Sequence, residues 1–246
     1  MEPIFRRTYT LTDLHVDRFG RLRPSAMAFL AQDVAGGHCM GLGLDWETLA
    51  SRDMFWAIIR QRFSVTRLPR RGETITLETW PMPTTRAAFP RATVAYDAEG
   101  KELFRILGLW VLMNPKTRSM ILPAKSGINL DGIVRGTELT PPGSILPKDF
   151  EAHLTRTVVF AELDRNGHMN NTKYLDWVMD LQPAQFHEAH PVREILICYH
   201  AEALENQQID LTWNLNEEGL FQVDGSRTKT DVPDKQERVF SSQFRF

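Results

Sequence analysis

"ELDRNGHMNNTKYLDWVMD", Glu162–Asp180, sets an acid, an Asn, a His and two more Asn residues side by side, then passes at once into an apolar pattern. Tyr174, Leu175, Val178 and Met179 recur at helical spacing and predict one buried helix face. Asn170 or Asn171 then falls at the N-cap, where a short side-chain acceptor is favoured. Asp164, Asn166 and His168 alternate just upstream, so an extended or turning segment would aim them the same way. A helix start offers free N–H groups and partial positive charge. Those suit a carbonyl oxygen that becomes an oxyanion, and the amides near His168 to Asn170 are the expected donors. A carboxylate, an imidazole and an amide complete a set suited to metal-free acyl-transfer hydrolysis. The same residues also spell an ordinary Asx-rich turn and cap. Spacing leaves capping and catalysis both open.

Working outward, "HLTRTVVF" before the motif reads as a strand, and "REILICYHAEAL", "QIDLTWNL", "LFQVDGSRTK" and "ERVFSSQFRF" follow as further strands. The first half has the same order. "RRTYTLTDLHV" precedes a helix opened by Pro24 and stopped at Gly36-Gly37, and then come "MFWAIIRQRFSV", "ETITLETWP", "RAAFPRATVAYD" and "KELFRILGLWVLMN". Strand, one long helix, then antiparallel strands, twice over, predicts an α+β architecture rather than a βαβ alternation. The Pro- and Gly-bearing segment at 128–152 shows no sustained period and reads as a linker between units at 1–127 and 153–246. The halves echo each other weakly. Asp17 can lie opposite Asp164 if two extra positions are allowed, and "TLETW" (Thr76–Trp80) falls beside "DLTW" (Asp210–Trp213). Phe19 and Arg21 fall where the second copy has Asn166 and His168, so only the second half keeps the polar cluster.

The chain has 246 residues, of which 42% are hydrophobic and 24% charged, enough for a proper core. A net charge of −2 supplies no basic field for nucleic acid. Two distant cysteines, Cys39 and Cys198, suggest reduced thiols in a cytoplasmic setting. The N-terminus lacks the apolar core of a signal peptide. The longest apolar run, Ile106–Met113, falls far short of the ~20 residues that cross a bilayer. "HEAH" (His187–His190) lacks zinc-site spacing, and no dinucleotide, P-loop or serine-hydrolase motif occurs. No metal or cofactor is expected. Met27, Phe29, Leu30, Val34, Phe55, Trp56 and Ile58 read first as core.

"LDRNGHMNNTKYLDW" resembles the active-site motif of the acyl-acyl-carrier-protein thioesterases, and "LETWP" and "GLWVLMNPKTRSMILP" resemble further stretches of that family. The resemblance covers nearly the whole chain. It implies two hotdog domains in tandem, each a long helix wrapped by an antiparallel sheet, with the first lining an acyl-chain pocket and the second catalytic. Carried over by position, the catalytic residues would be Asp164, Asn166, His168 and Glu202, the last on a strand reading "CYHAEAL". Two departures stand out: His200 replaces the family's Arg, and Ala203 replaces its Cys, so no thiol nucleophile exists at that place. Cys198 reads as a core residue. Either Asp164 attacks the thioester or Glu202 and Asp164 activate water. The implied partner is acyl carrier protein, an acidic protein, with Arg67, Arg70 and Arg71 as a candidate docking surface, and Asn170 and Asn171 at the helix start are separate candidate substrate-binding residues. An acyl-CoA thioesterase and a non-catalytic acyl sensor are the alternatives. Chain length does not follow from spacing, and a homodimer stays open.

Overall fold

In a computed structural model, residues 3–136, 140–148, 150–229 and 235–246 are described. Residues 137–139 and 149, part of the expected linker, lie outside them. The chain divides into two compact units, Met1–Pro142 and Gly143–Phe246.

The first unit runs β1 (Phe5–Thr10), α1 (Pro24–Gly41), α2 (Trp46–Ala50), β2 (Phe55–Val65), β3 (Thr74–Pro81), β4 (Phe89–Tyr96), β5 (Glu102–Met113), β6 (Met120–Ile121) and α3 (Pro123–Ser126). Its strands pair antiparallel in the order β1-β3-β4-β5-β2, with β6 on β5. α1 lies against β1 and β3 and buries Met27, Leu30, Ala31 and Val34. Pro24 sits in the first turn, where its missing N–H costs nothing. Two readings are corrected here. Gly36-Gly37 does not stop the helix, which runs on to Gly41. A Cβ at Gly37 would come within 2.9 Å of the Phe5 ring, so this glycine lets β1 approach the helix. Phe29, expected in the core, is 55% exposed because it lies off the apolar stripe of α1. Phe55, Trp56 and Ile58 are half-buried.

The second unit runs β7 (Ala152–Thr157), α4 (Asn171–Met179), α5 (Ala184–Ala189), β8 (Glu194–Tyr199), β9 (Gln208–Leu215), β10 (Leu220–Thr228) and β11 (Gln236–Arg245). The sheet order, β7-β9-β10-β11-β8, is that of the first unit. Tyr174 on α4 meets the rings of Tyr199 and Phe240 at 5.5 and 4.9 Å, pinning the helix to β8 and β11. The expected long helix is here only nine residues. Pro183, at the N-cap of α5, cannot continue it.

The two units match bond by bond, which fixes the register of the repeat. Leu11 N donates to Glu73 O and Gly72 N to Leu11 O; Val158 N donates to Gln207 O and Asn206 N to Val158 O. Gly72 and Asn206 both take positive φ, 85° and 64°. Leu11 through Pro24 therefore superimposes on Val158 through Asn171 without the two extra positions. The pairings Thr76↔Tyr96 and Asp210↔Ser226 continue the correspondence and set Thr79, not Trp80, opposite Trp213. One residue of slip in a strand changes the face, so the Trp–Trp echo is coincidental.

Candidate active site

Asp164 closes a five-residue turn. Its N–H donates to His168 O at 2.7 Å, its carbonyl accepts Gly167 N at 3.0 Å, and its Oδ1 accepts Asn166 N at 2.8 Å and His168 N at 3.2 Å. Gly167, at φ 78°, supplies the left-handed residue this turn needs. The first unit builds the same turn. Asp17 N donates to Arg21 O, Gly20 N to Asp17 O, and Asp17 Oδ1 accepts Phe19 N and Arg21 N at 2.8 and 2.9 Å, with Gly20 at φ 71°. The Asp and Gly are thus what the backbone requires, while the positions held by Asn166 and His168 are free to vary and hold Phe19 and Arg21 in the first copy.

Asn170 is the N-cap of α4, its Oδ1 accepting Thr172 N at 2.9 Å and Thr172 Oγ1 at 2.8 Å. The amides at 168–170 are not open to an oxyanion, contrary to the sequence expectation. His168 N goes to Asp164, Met169 N to Ala203 O at 2.8 Å, and Asn170 N to Glu162 O at 2.8 Å. They stitch the turn to its neighbours before the helix begins. What remains is the side chain of Asn171, whose Nδ2 is buried with no acceptor among the described residues. Asn171 O accepts the Tyr199 hydroxyl at 3.0 Å, which fixes the residue from behind. Burial drives the Tyr199 and Tyr174 phenols up, so both stay neutral.

Glu202 does not lie on a strand. β8 ends at Tyr199, and residues 200–207 turn back toward β9, with Leu204 bridging His168. That bridge brings Glu202 Oε2 to 3.5 Å from His168 Nε2. The pair is partly shielded, the His168 side chain being 16% exposed and that of Glu202 36%. Structure thus joins Asp164, Asn166, His168 and Glu202 in one neighbourhood from two loops about forty residues apart in sequence. By the register above, the counterpart of Glu202 in the first unit is Leu68.

Sequence reasoning missed the residue that holds this loop. Arg227 on β10 donates Nη1 to Glu202 O at 2.7 Å and also to Gln207 Oε1, while its Nε and Nη2 reach Glu237 Oε2 at 3.0 and 2.7 Å. Gln207 in turn accepts Leu204 N at 2.9 Å. Arg227 holds the Glu237 carboxyl below the usual carboxylate range. Nothing local in the sequence marks Arg227, because its partners come through strand register. Cys198 is buried with Sγ against Gly143 O, as a core thiol, and His200 pairs with Ser241 Oγ at 2.9 Å.

The arginines expected to dock a partner are largely occupied. Arg67 makes a two-armed bond to Glu73 at 2.8 Å, and Arg71 Nε meets Asp13 at 2.5 Å. Arg70 is exposed, and its backbone N–H, not its side chain, is what bonds Glu73.

Residues 2–123 match the profile of the acyl-ACP thioesterase N-terminal domain and residues 147–243 that of the acyl-ACP thioesterase C-terminal domain. A chloroplastic dodecanoyl-[acyl-carrier-protein] hydrolase of Cinnamomum camphora is 26% identical over 216 residues, covering 81% of this chain and 56% of that protein. A chloroplastic palmitoyl-acyl carrier protein thioesterase of Gossypium hirsutum is 26% identical over 186 residues, covering 70% and 45%. The chain spans about half the length of these curated relatives. An acyl-ACP thioesterase structure from Bacteroides thetaiotaomicron superimposes with TM-score 0.86 at 22% identity, over 99% of this chain and 98% of that one. The 12:0-ACP thioesterase of Umbellularia californica gives 0.80 at 20% identity, over 100% and 97%. The fold is the hotdog fold of these neighbours.

Proposed function

The chain belongs to the acyl-ACP thioesterase family, and from that premise we propose that it hydrolyses fatty acyl thioesters of acyl carrier protein at Asp164, Asn166, His168 and Glu202. The observation that carries the reading is the Glu202–His168 pair at 3.5 Å, set beside the Asp164 turn. Catalytic hydrogen bonds are commonly long before substrate tightens them. Glu202 takes a proton from water, the hydroxide adds to the thioester carbonyl, and the tetrahedral adduct expels the carrier thiolate. His168 orients Glu202 and water. Asn171 Nδ2, buried and without an acceptor among the described residues, suits the developing oxyanion. Asp164 holds the turn that aims Asn166 and His168. Direct attack by Asp164 is the competing route, since Oδ2 has only a 3.4 Å contact to Asn166 Nδ2.

The first unit, which lacks Asn166, His168 and Glu202 counterparts, would serve the acyl chain. A cytoplasmic setting belongs to the same proposal; no helix among the described residues is long and apolar enough to cross a membrane. Carrier protein would approach through Arg70, with Arg71 able to exchange its exposed partner Asp13 at little cost, while Arg67 stays tied to the partly buried Glu73.

The experiment is thiol release from acyl-carrier-protein and coenzyme A thioesters of matched chain length, with wild type, Glu202→Gln and Arg70→Glu at two ionic strengths. Turnover of the carrier thioester, lost in Glu202→Gln, is the expected result. Arg70→Glu and added salt should raise KM for the carrier substrate alone. Absence of release from every thioester, with acyl ligands still bound, would leave a sensor and end the enzyme reading.

A further inference from the structure

The turn that carries Asn166 and His168 sits at the tip of a short two-stranded ribbon. Asn170 N donates to Glu162 O at 2.8 Å, Leu163 bridges Met169, and Asp164 N donates to His168 O at 2.7 Å. The first unit builds the same ribbon from Arg23 N to His15 O at 3.0 Å, the Val16–Leu22 bridge, and Asp17 N to Arg21 O at 2.8 Å. One edge is tied alike in both copies. Met169 N donates to Ala203 O, next to Glu202, and Leu22 N donates to Pro69 O, each at 2.8 Å.

The base of the ribbon is where the copies part. Glu162 is half-buried and uses both carboxylate oxygens: Oε2 accepts Val159 N at 3.1 Å, and Oε1 accepts the indole Nε1 of Trp177 at 2.5 Å. Trp177 lies on α4, is fully buried, and carries the Arg156 guanidinium over its ring at 4.8 Å. Asp180 holds that guanidinium in turn, at 2.9 Å. The ribbon is thereby fastened to the buried side of the helix. By the register of the repeat, the counterparts of Glu162 and Trp177 are His15 and Leu30. His15 Nδ1 accepts Thr12 N at 3.0 Å, which is the same turn bond. Leu30 has no side-chain donor, so this tie to a helix cannot form in the first unit. A buried indole N–H is costly to leave unpaired, and a bond to a carboxylate is among the stronger ones. The copy that keeps Asn166 and His168 is therefore also the copy that fastens their ribbon to its helix.

We propose that Glu162 and Trp177 are positioning residues, whose bond locks the ribbon onto α4 and so fixes the approach of His168 to Glu202. The effect on rate rests on the hydrolase reading above; the lock itself does not.

The test borrows the first unit's own residue. In Glu162→His, an Nδ1 that accepts Val159 N leaves the proton on Nε2, which then cannot accept the indole N–H. The turn bond stays and the lock goes. Trp177→Phe removes the same bond from the other side and keeps a ring in the core. Both variants and their double are made in the full chain. Thiol release is measured from octanoyl-, dodecanoyl- and hexadecanoyl-carrier-protein, and amide exchange is followed by NMR. Each single variant should lower kcat at least about tenfold with KM within about twofold, because a displaced catalytic group slows the chemical step. The double should be no slower than the slower single, since one bond is lost only once. In Glu162→His the Asn166, His168 and Asn170 amides should exchange at least about tenfold faster while Val178 on α4 keeps its protection. A folded Glu162→His with wild-type kcat, a change confined to KM, or losses that multiply in the double would overturn the proposal. If wild type releases none of the three thioesters, the hydrolase reading falls and exchange alone decides the lock: unchanged exchange in Glu162→His overturns it.

Discussion

Asp164 can be made to show whether it holds a turn or attacks a carbon, because the molecule carries its own control. Asp164→Ala removes the acceptor for two backbone N–H groups, Asn166 and His168. For a partly exposed cap-like carboxylate this costs about 1–2 kcal/mol. At this chain length that lowers Tm by about 3–6 °C. Asp17→Ala removes the matching pair, Phe19 and Arg21 N–H, and an ion pair to Arg21 at 3.2 Å, so its Tm falls by a similar amount. Its kcat should stay within about twofold, since no His or Glu stands in that turn. Asp164→Asn keeps an oxygen at Oδ1, so its Tm should hold within about 1 °C. On the general-base reading its kcat falls no more than about tenfold, while Glu202→Gln falls by about 10²–10⁴. Calorimetric Tm and saturating thiol-release rates on the four variants are sufficient. A folded Asp164→Asn enzyme as dead as Glu202→Gln would refute the turn-holding role and establish attack by Asp164.

Two further perturbations follow from the loop that carries Glu202. Arg227→Met should lower kcat with little change in KM, because the loop loses its tie to β10 while the substrate contacts stay; a change confined to KM would contradict that role. Glu237 bonds Arg227, and its folded carboxyl lies below the unfolded value near 4.5. The stability it contributes is therefore present above about pH 4.5 and lost as pH falls through the folded value. Acid denaturation monitored by circular dichroism should be shallower in Glu237→Gln below that pH, and identical profiles would remove Glu237 from the account.

Periodicity and turn chemistry were enough to read the strand, helix and antiparallel-strand plan twice over, a cap at Asn170 or Asn171, and the place of Asn166 and His168 opposite Phe19 and Arg21, though not the short α2, β6, α3 and α5. These are local properties: an Asx cap, a left-handed glycine and a helical stripe are written within ten residues of one another. The same locality misled at Gly36-Gly37, where a glycine pair serves helix–strand approach rather than termination. It misled again at the second helix, which Pro183 cuts short. The site's completion was not local. Glu202 meets His168 only because Leu204 bridges it, and Arg227 reaches Glu202 only through the register of β10 against its neighbours. The amides that looked free for an oxyanion are consumed by carbonyls of Ala203 and of Glu162, a requirement no single segment reveals. Backbone preferences act over a few residues and are legible from them. Which donor faces which acceptor across a sheet is decided by register, and register is set by the whole hydrophobic pattern at once.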